Sequence, residues 1–390
     1  MYITVFQSPM HHQLTFEEFM YGTAHKQYLI SNNETNTRTY RVDDLERSRF
    51  DGMYSVHRLI RIMKEFNDKY AELRAVEDRH SLYYQFFIPK KSQSGGKRKW
   101  REINAPLTPL MNALNEMKSI IETEFGSRTA LYHTSAFAYI KQRSTLKAVK
   151  RHQSNESKWF AKYDFSNFFG STTKPFVMSM LEQIYPFSEV IRALGGRELM
   201  EDFIDLAFLD GVLPQGTPIS PMLTNIMMIP IDFCLYNKFR NFNGKYFVYT
   251  RYADDIIISC KYDFSFRQIE QEIRNVLSEH GAPFTIKPEK TRYGSTAGSN
   301  WNLGVILNKD NKITIGRKRK REFISSLSNY AMDKKNGIPW EKYDVQVLEG
   351  LRNYYRMVEE ETIDGLVKHL SEKFKLDIVS EMKADIKAKS

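Results

Sequence analysis

The sequence predicts an α+β fold in which short apolar strands are packed by amphipathic helices. Three observations predict it. Residues 247–259 place apolar, β-branched runs on either side of Tyr252-Ala253-Asp254-Asp255, the pattern of two strands joined by a tight turn. Lys158-Trp-Phe-Ala-Lys-Tyr-Asp164 reads as a further strand that ends on a single aspartate and turns into a helix. Apolar residues also recur at three- and four-residue spacing over residues 56–76, 107–126 and 174–208, and again beyond Gly316, as helices with one packed face require.

From the N-terminus, residues 1–50 are polar and mixed, with a loop over residues 31–37 and no motif that points to chemistry. In the helix that follows, Val56, Leu59, Ile60, Met63, Phe66, Tyr70 and Leu73 share one face and serve as core. Residues 82–89 then run like a strand, and a basic turn around Gly95-Gly96 leads to a second strand ending at Pro106. Six Lys or Arg residues lie between Lys90 and Arg101, which suits a clamp on phosphates as well as it suits a solvated hairpin tip.

The turn Leu213-Pro-Gln-Gly-Thr-Pro-Ile-Ser-Pro221 holds three prolines and a glycine ahead of a helix starting near Met222, with Ser220 as its cap. Such a rigid path sets Gln215 and the backbone of Gly216 against a planar ligand. The hairpin at residues 247–259 brings two neighbouring carboxylates to its tip, and a hard divalent cation is the natural relief for their repulsion. An isolated Asp-Asp turn is more often structural, because Asp caps its own backbone. Asp164 supplies the third carboxylate that a phosphoryl-transfer site needs. Residues 284–291 read as a strand and turn presenting Lys290, and residues 301–308 as a short strand with a glycine bulge at Gly304. Arg317-Lys318-Arg319-Lys320-Arg321 opens a basic helical C-terminal region.

Composition bounds the reading. The chain has 390 residues, 42% of them hydrophobic, and carries a net charge of +10, which favours a polyanionic partner. Two cysteines, Cys234 and Cys260, exclude a disulfide framework and a cysteine-based zinc site, and point to a reducing compartment. No run of 18 apolar residues occurs and the N-terminus does not read as a leader, so a cytoplasmic protein with no membrane partner is expected.

The order of these elements resembles the successive motifs of reverse transcriptases. Basic hairpin, strand-ending Asp164, Pro-Gln-Gly turn, Tyr-Ala-Asp-Asp hairpin, Pro-Glu-Lys290 turn and Leu303-Gly304 strand follow one another from about Tyr83 to Asn308. The chain looks most like the compact bacterial branch, which includes retron and defence-associated enzymes. This resemblance implies a right-hand polymerase fold with fingers, a palm built on an antiparallel sheet with a ferredoxin-like core, and a helical thumb. It places an N-terminal extension at residues 1–80, fingers and palm at 81–316 and a basic thumb at 317–390.

The implied activity is RNA-directed DNA polymerisation from dNTPs, with two Mg²⁺ ions, or Mn²⁺ in their place. Asp164, Asp254, Asp255 and the backbone of Phe165 match the metal ligands, Asp255 the least direct among them, and Lys290 matches a general acid near the leaving group. Lys90, Lys91, Lys97 and Arg101 match the finger cations. The backbone through Phe168 matches the triphosphate segment, Phe169 the aromatic under the sugar, and Gln215 and Gly216 the turn beside the nascent base pair. Tyr252, Leu303, Gly304 and Arg317, Lys318, Arg319, Lys320 and Arg321 match nucleic-acid contacts. Implied partners are an RNA template, expected to be a dedicated non-coding RNA in antiphage defence, the DNA product, and a protein partner or second copy met through the N-terminal extension. The sequence departs from retron enzymes in reading Lys147-Ala-Val-Lys-Arg-His152 for their Asn-Ala-x-x-His element and Asn302-Leu-Gly304 for their Val-Thr-Gly triplet. Untemplated or protein-primed synthesis, or a silent nucleic-acid scaffold, are the competing readings.

Overall fold

Strands form where the sequence alternates or runs apolar. The computed structural model describes residues 2–6, 37–89, 100–124, 132–297 and 301–387. In it β1 (Tyr2–Phe6) pairs antiparallel with β2 (Thr37–Arg41), and β3 (Tyr83–Pro89) with β4 (Trp100–Pro106). Next come β5 (Trp159–Asp164), β6 (Val248–Tyr252), β7 (Asp255–Cys260) and β8 (Arg292–Ser295), which make a four-stranded sheet in the order β6-β7-β5-β8. β9 (Trp301–Asn302), β10 (Val305–Leu307) and β11 (Ile313–Thr314) make a three-stranded sheet in the order β11-β10-β9. Lys90, Lys91 and Lys97, at the tip expected between β3 and β4, lie outside the described residues.

Two expectations are corrected. The strand with a glycine bulge at residues 301–308 is a tight hairpin, in which Asn302 faces Val305 and Trp301 faces Ile306. Leu303 (φ 54°) and Gly304 (φ 90°) both adopt the left-handed conformation that a two-residue turn between twisted strands needs. The strand expected near Phe284 is reduced to a single bridge between Ile286 and Phe165, followed by one 3₁₀ turn at Pro288–Lys290.

The first helix runs from Val42 to Lys69 and buries Leu59, Met63 and Phe66. Thr108–Glu124 follows as expected, and residues 174–208 divide into Lys174–Leu181, Phe187–Arg192 and Gly196–Asp205. Pro186 and left-handed Gly195 mark the breaks, since proline cannot continue a helical ladder and glycine can reverse its φ. The helix after the Pro-Gln-Gly turn spans Ser220–Met227, and the hydroxyl of Thr217, rather than Ser220, accepts the Ser220 N–H at 3.2 Å. Among the described residues no helix is long and apolar enough to cross a membrane.

The chain groups into two units. The first comprises Met1–Arg143, Tyr163–Ile256 and Ser265–Thr291. Its core joins Phe66 to Phe203, with rings 5.0 Å apart, and buries almost every side chain of Ser220–Met227 and much of Ile229–Arg240. The second comprises Ser144–Lys162, Ile257–Phe264 and Arg292–Ser390. Four helices, Arg317–Lys335, Lys342–Val358, Glu360–Phe374 and Ile378–Lys387, pack there around Phe323, Leu327, Val345, Leu348, Ile363 and Met382. The first of them starts after Gly316 with no side-chain cap. Its five leading cations are partly committed: Arg319 donates to the Gly304 carbonyl and Lys320 pairs with Glu359 at 2.6 Å, while Arg317, Lys318 and Arg321 are exposed, Lys318 with Glu322 at 4.0 Å.

The second unit also buries His152 completely, with Nδ1 2.6 Å from Ser259 Oγ, which in turn donates to Ser157 Oγ at 2.7 Å. Burial, helped by the charge of Arg151, lowers its pKa to about 3. Below pH about 6.5 the unfolded imidazole therefore binds a proton that the fold refuses. Stability should be intact above that pH and fall below it, by on the order of 1 kcal/mol per pH unit. Denaturant midpoints compared at neutral and mildly acid pH should show this loss, and His152→Gln, which cannot titrate, should flatten it. Parallel slopes for parent and variant would refute the assignment.

Candidate active site

β5 carries its apolar run inward and stops at Asp164, whose side chain is 7% exposed. The backbone beyond it is stitched on both sides. Phe165 N–H donates to the Asp254 carbonyl (3.0 Å), Ser166 N–H to the Thr285 carbonyl (2.7 Å), and Lys287 N–H to the Asp164 carbonyl (2.9 Å). Asp164 is thereby fixed between the Tyr-Ala-Asp-Asp turn and the Pro-Glu-Lys turn. Ala253 takes a left-handed conformation (φ 56°), Asp254 completes the turn, and Asp255 opens β7.

Beneath that turn lies an ion pair with no solvent exposure at either side chain. Arg251 donates from Nε to Asp232 Oδ1 (2.8 Å) and from Nη2 to Oδ2 (2.7 Å), and Tyr249 Oη donates to Oδ1 (2.5 Å). Its Nη1 reaches Asn225 Oδ1 (3.1 Å) and the Ala253 carbonyl (3.3 Å). A buried charge is tolerable only with such complete pairing. Neither Arg251 nor Asp232 was singled out from the sequence. The signal was there, as a lone arginine in an otherwise uncharged strand, and a lone aspartate in a largely apolar helix.

Asp164 faces two ammonium groups. Lys290 Nζ lies 3.0 and 2.9 Å from its two oxygens, and Lys287 Nζ lies 3.0 Å from Oδ1. Lys287 was also missed. One 3₁₀ turn separates the two lysines, and at three residues per turn they point the same way. Burial works against ionisation of Asp164, but the hydrogen bonds from Lys290 and Lys287 prevail and hold its carboxyl below the usual range. Asp254 goes the other way: burial first, and the charge of Asp164 second, push its carboxyl up. Burial would lower Lys290, yet the hydrogen bond and charge of Asp164 raise it. Among the described residues, no group of three or more His, Cys, Asp and Glu side chains is gathered to hold a metal ion, and Asp164 is turned onto its lysines. The donor chemistry nevertheless suits a hard divalent cation, because close, partly desolvated carboxylates repel until a cation joins them.

The aromatic residues after Asp164 divide. Phe165 and Phe168 are buried against Phe284, Phe165 stacked on it at 5.3 Å and Phe168 tilted to it at 4.9 Å, so their rings are core and only their backbone is left for a ligand. Phe169 is half-buried, edge-on to Phe168 at 5.8 Å and to Tyr139 at 6.5 Å. The Gln215 carbonyl accepts from Asn104 N–H at 2.8 Å, and a Cβ on Gly216 (φ 112°) would meet Ile103 and the Asn104 carbonyl at 2.8 and 2.9 Å. The close approach of Gly216 is thus to β4, which carries Arg101 at its exposed end. Asp164, Asp254, Asp255, Lys290, Arg101, Phe165, Phe168, Phe169, Gln215, Gly216 and Tyr252 all belong to the first unit, and Leu303, Gly304 and residues 317–321 to the second.

Residues 88–323, more than half of the 390-residue chain, match the family described as reverse transcriptase (RNA-dependent DNA polymerase). The chain belongs to the reverse transcriptase family. As a member it is an RNA-directed DNA polymerase, takes an RNA template and belongs with enzymes that use divalent metal ions. This reverse transcriptase is 28% identical over 309 residues to the Retron Ec83 reverse transcriptase of Escherichia coli, covering 76% of its own length and 90% of the relative's. It is 27% identical to the Retron Ec73 reverse transcriptase of Escherichia coli, over 50% of its own chain and 62% of the other. A third similar protein, the Retron Mx162 reverse transcriptase of Myxococcus xanthus, is 24% identical over 80% of this chain and 66% of its own. Among solved structures, apo telomerase from Candida tropicalis aligns with a TM-score of 0.43 and 11% identity, over 80% of this chain and 62% of that one. Retron enzymes are thus among its relatives despite Lys147 and Leu303, where the retron motifs differ.

Proposed function

We propose that this reverse transcriptase copies a dedicated non-coding RNA into DNA, in a bacterial antiphage defence system, through a site built on Asp164, Asp254 and Asp255. The observation that carries the site is geometric: Asp164 and Asp254 are joined through the bond from Phe165 N–H to the Asp254 carbonyl (3.0 Å), with Lys287 and Lys290 at 2.9–3.0 Å from the Asp164 carboxylate. Burial and the charge of Asp164 both raise the cost of ionising Asp254, a cost that a bound cation would relieve. The three acids and the Phe165 carbonyl would hold two Mg²⁺ ions, which when bound supply activation of the primer 3′-hydroxyl and neutralisation of the triphosphate.

The chain's own groups do the rest. Arg101, with Lys90, Lys91 and Lys97, draws in the triphosphate. The primer 3′-hydroxyl loses its proton to solvent and its oxygen bonds to the α-phosphorus as the bond to pyrophosphate breaks, and Lys290, which keeps its proton at neutral pH beside Asp164, gives that proton to the departing oxygen. Phe169 occupies the space of a ribose 2′-hydroxyl and so selects deoxynucleotides. Gln215, Gly216 and Tyr252 border the nascent base pair, and Leu303 and Gly304 hold the primer end. Residues 1–80 serve as an extension that meets a protein partner, 81–316 as fingers and palm, and 317–390 as a thumb that follows the hybrid through phosphate contacts. Reducing cytoplasm is its setting.

A DNA primer annealed to RNA should be extended with dNTPs and Mg²⁺, and chelation should stop extension. Phe169→Ala should lower the preference for dNTPs over rNTPs by about tenfold or more. No extension by the parent protein would overturn the activity, and an unchanged sugar preference in the variant would overturn the role of Phe169.

A further inference from the structure

Tyr139 breaks the pattern of the segment that contains it. Ala136, Phe137, Ala138 and Ile140 are buried, whereas Tyr139 between them is 57% exposed. Its backbone is left-handed (φ 60°), a region that a residue with a bulky side chain avoids unless its surroundings force it. The surroundings do force it. Phe137 N–H donates to the Arg251 carbonyl (2.9 Å), and Arg251 N–H to the Ser135 carbonyl (2.7 Å). Asn225 Nδ2 donates to the Ala138 carbonyl (2.8 Å), and Arg143 Nη1 to the Ala136 carbonyl (2.6 Å). The peptide on both sides is clamped, and the clamp turns one large aromatic side chain out to solvent.

The direction of that side chain has a target. The Tyr139 ring stands edge-on to Phe169, with centroids 6.5 Å apart and planes at 66°. Burial chiefly pushes its hydroxyl up, and Asp254, Tyr252 and Arg101 are near enough to act on it as well, so it shares the surroundings of the acids and of the exposed end of β4. Phe169 therefore has two ring neighbours of opposite character: Phe168, buried in the core, and Tyr139, open to solvent. A half-buried ring braced on one side only can change rotamer, and an edge contact on its second side restrains it.

We propose that Tyr139 is a specificity-determining residue whose ring braces Phe169 and forms the second wall of the pocket for the incoming deoxyribose. The inference rests on the reading of Phe169 as the residue beneath the sugar. It goes beyond that reading by assigning the rigidity of the pocket to a residue that no motif of the sequence marks.

The test compares Tyr139→Asn, Tyr139→Phe and Phe169→Ala by kcat/KM for a dNTP and for the matching rNTP on one primed RNA. Asn accepts left-handed backbone and the position is exposed, so the fold tolerates the change, which a melting curve checks. Tyr139→Asn should narrow the dNTP-over-rNTP ratio by roughly three- to tenfold, the size of one aromatic edge contact, mainly by admitting the rNTP. Tyr139→Phe, which keeps the ring, should restore the parental ratio. If Phe169→Ala collapses the ratio and Tyr139→Asn leaves it intact, the brace is wrong and the sugar reading stands. If Tyr139→Phe behaves like Tyr139→Asn, the hydroxyl matters and the ring does not, which also overturns the proposal. A ratio indifferent to Phe169→Ala removes the sugar reading, and the brace with it.

Discussion

Replacing Asp254 and Asp255 together by alanine is expected to reduce RNA-templated DNA synthesis by about a thousandfold or more, while the protein stays folded. The two expectations come from the same electrostatics. Asp254 has its carboxyl pushed up by burial and by Asp164, so its ionised form is disfavoured in the folded chain and at neutral pH it weighs against stability. Removing it should leave the melting temperature unchanged or raised. Asp164 has the opposite sign, because its ionised form is held by Lys290 and Lys287, and Asp164→Ala should lower the melting temperature as well as activity. Primer extension and thermal melting on the three proteins separate the outcomes. Undiminished synthesis in the double variant would sink the site assignment, and a large loss of stability in Asp254→Ala would mark the turn as structural.

The second large effect falls on a residue that touches no substrate. Arg251→Met should destabilise the first unit by about 3–5 kcal/mol, because it leaves Asp232 buried without its counter-charge. Arg251→Lys should recover little of this. An ammonium cannot reproduce the paired bonds from Nε and Nη2 to both Asp232 oxygens while also reaching Asn225 and the Ala253 carbonyl. Pairing Arg251→Met with Asp232→Leu should regain part of the loss, since both charges then leave the interior together. Denaturant midpoints measure all three. A single-variant loss below about 1 kcal/mol would show that the pair is not what holds the turn.

Much of the fold was legible because its signals are local. The runs at residues 247–259 and before Asp164 became β6, β7 and β5, and the Thr108–Glu124 helix came out of a spacing that needs no tertiary information. Asp164, Asp254 and Asp255 stood out as candidates by residue type and by their order among the motifs, and the structure puts Asp164 beside the turn that carries the other two. What escaped depends on contacts between distant segments. Leu303 looks like a strand residue, and only pairing of Trp301 with Ile306 puts it into a left-handed turn. Lys287 precedes a proline and reads as an ordinary turn cation until Asp164, 123 residues earlier, is packed against it. Tyr139 shows nothing in its own neighbourhood, because its exposure follows from bonds that Asn225 and Arg251 make to its neighbours.

The helix that begins at Arg317 carries its charge at the less comfortable end. Aligned peptide dipoles already make a helix N-terminus positive, and exposed Arg317, Lys318 and Arg321 add to that potential with no side-chain cap to offset it. Small anions must gather there in a simple electrolyte. A single nucleic-acid strand arriving at this end would displace them and shed its own condensed cations, and each phosphate neutralised would steepen the dependence of log K on log salt by about 0.7. If the C-terminal helices bind nucleic acid as proposed, their affinity should follow ionic strength and the entropy of displaced ions, and not the order of bases in the strand.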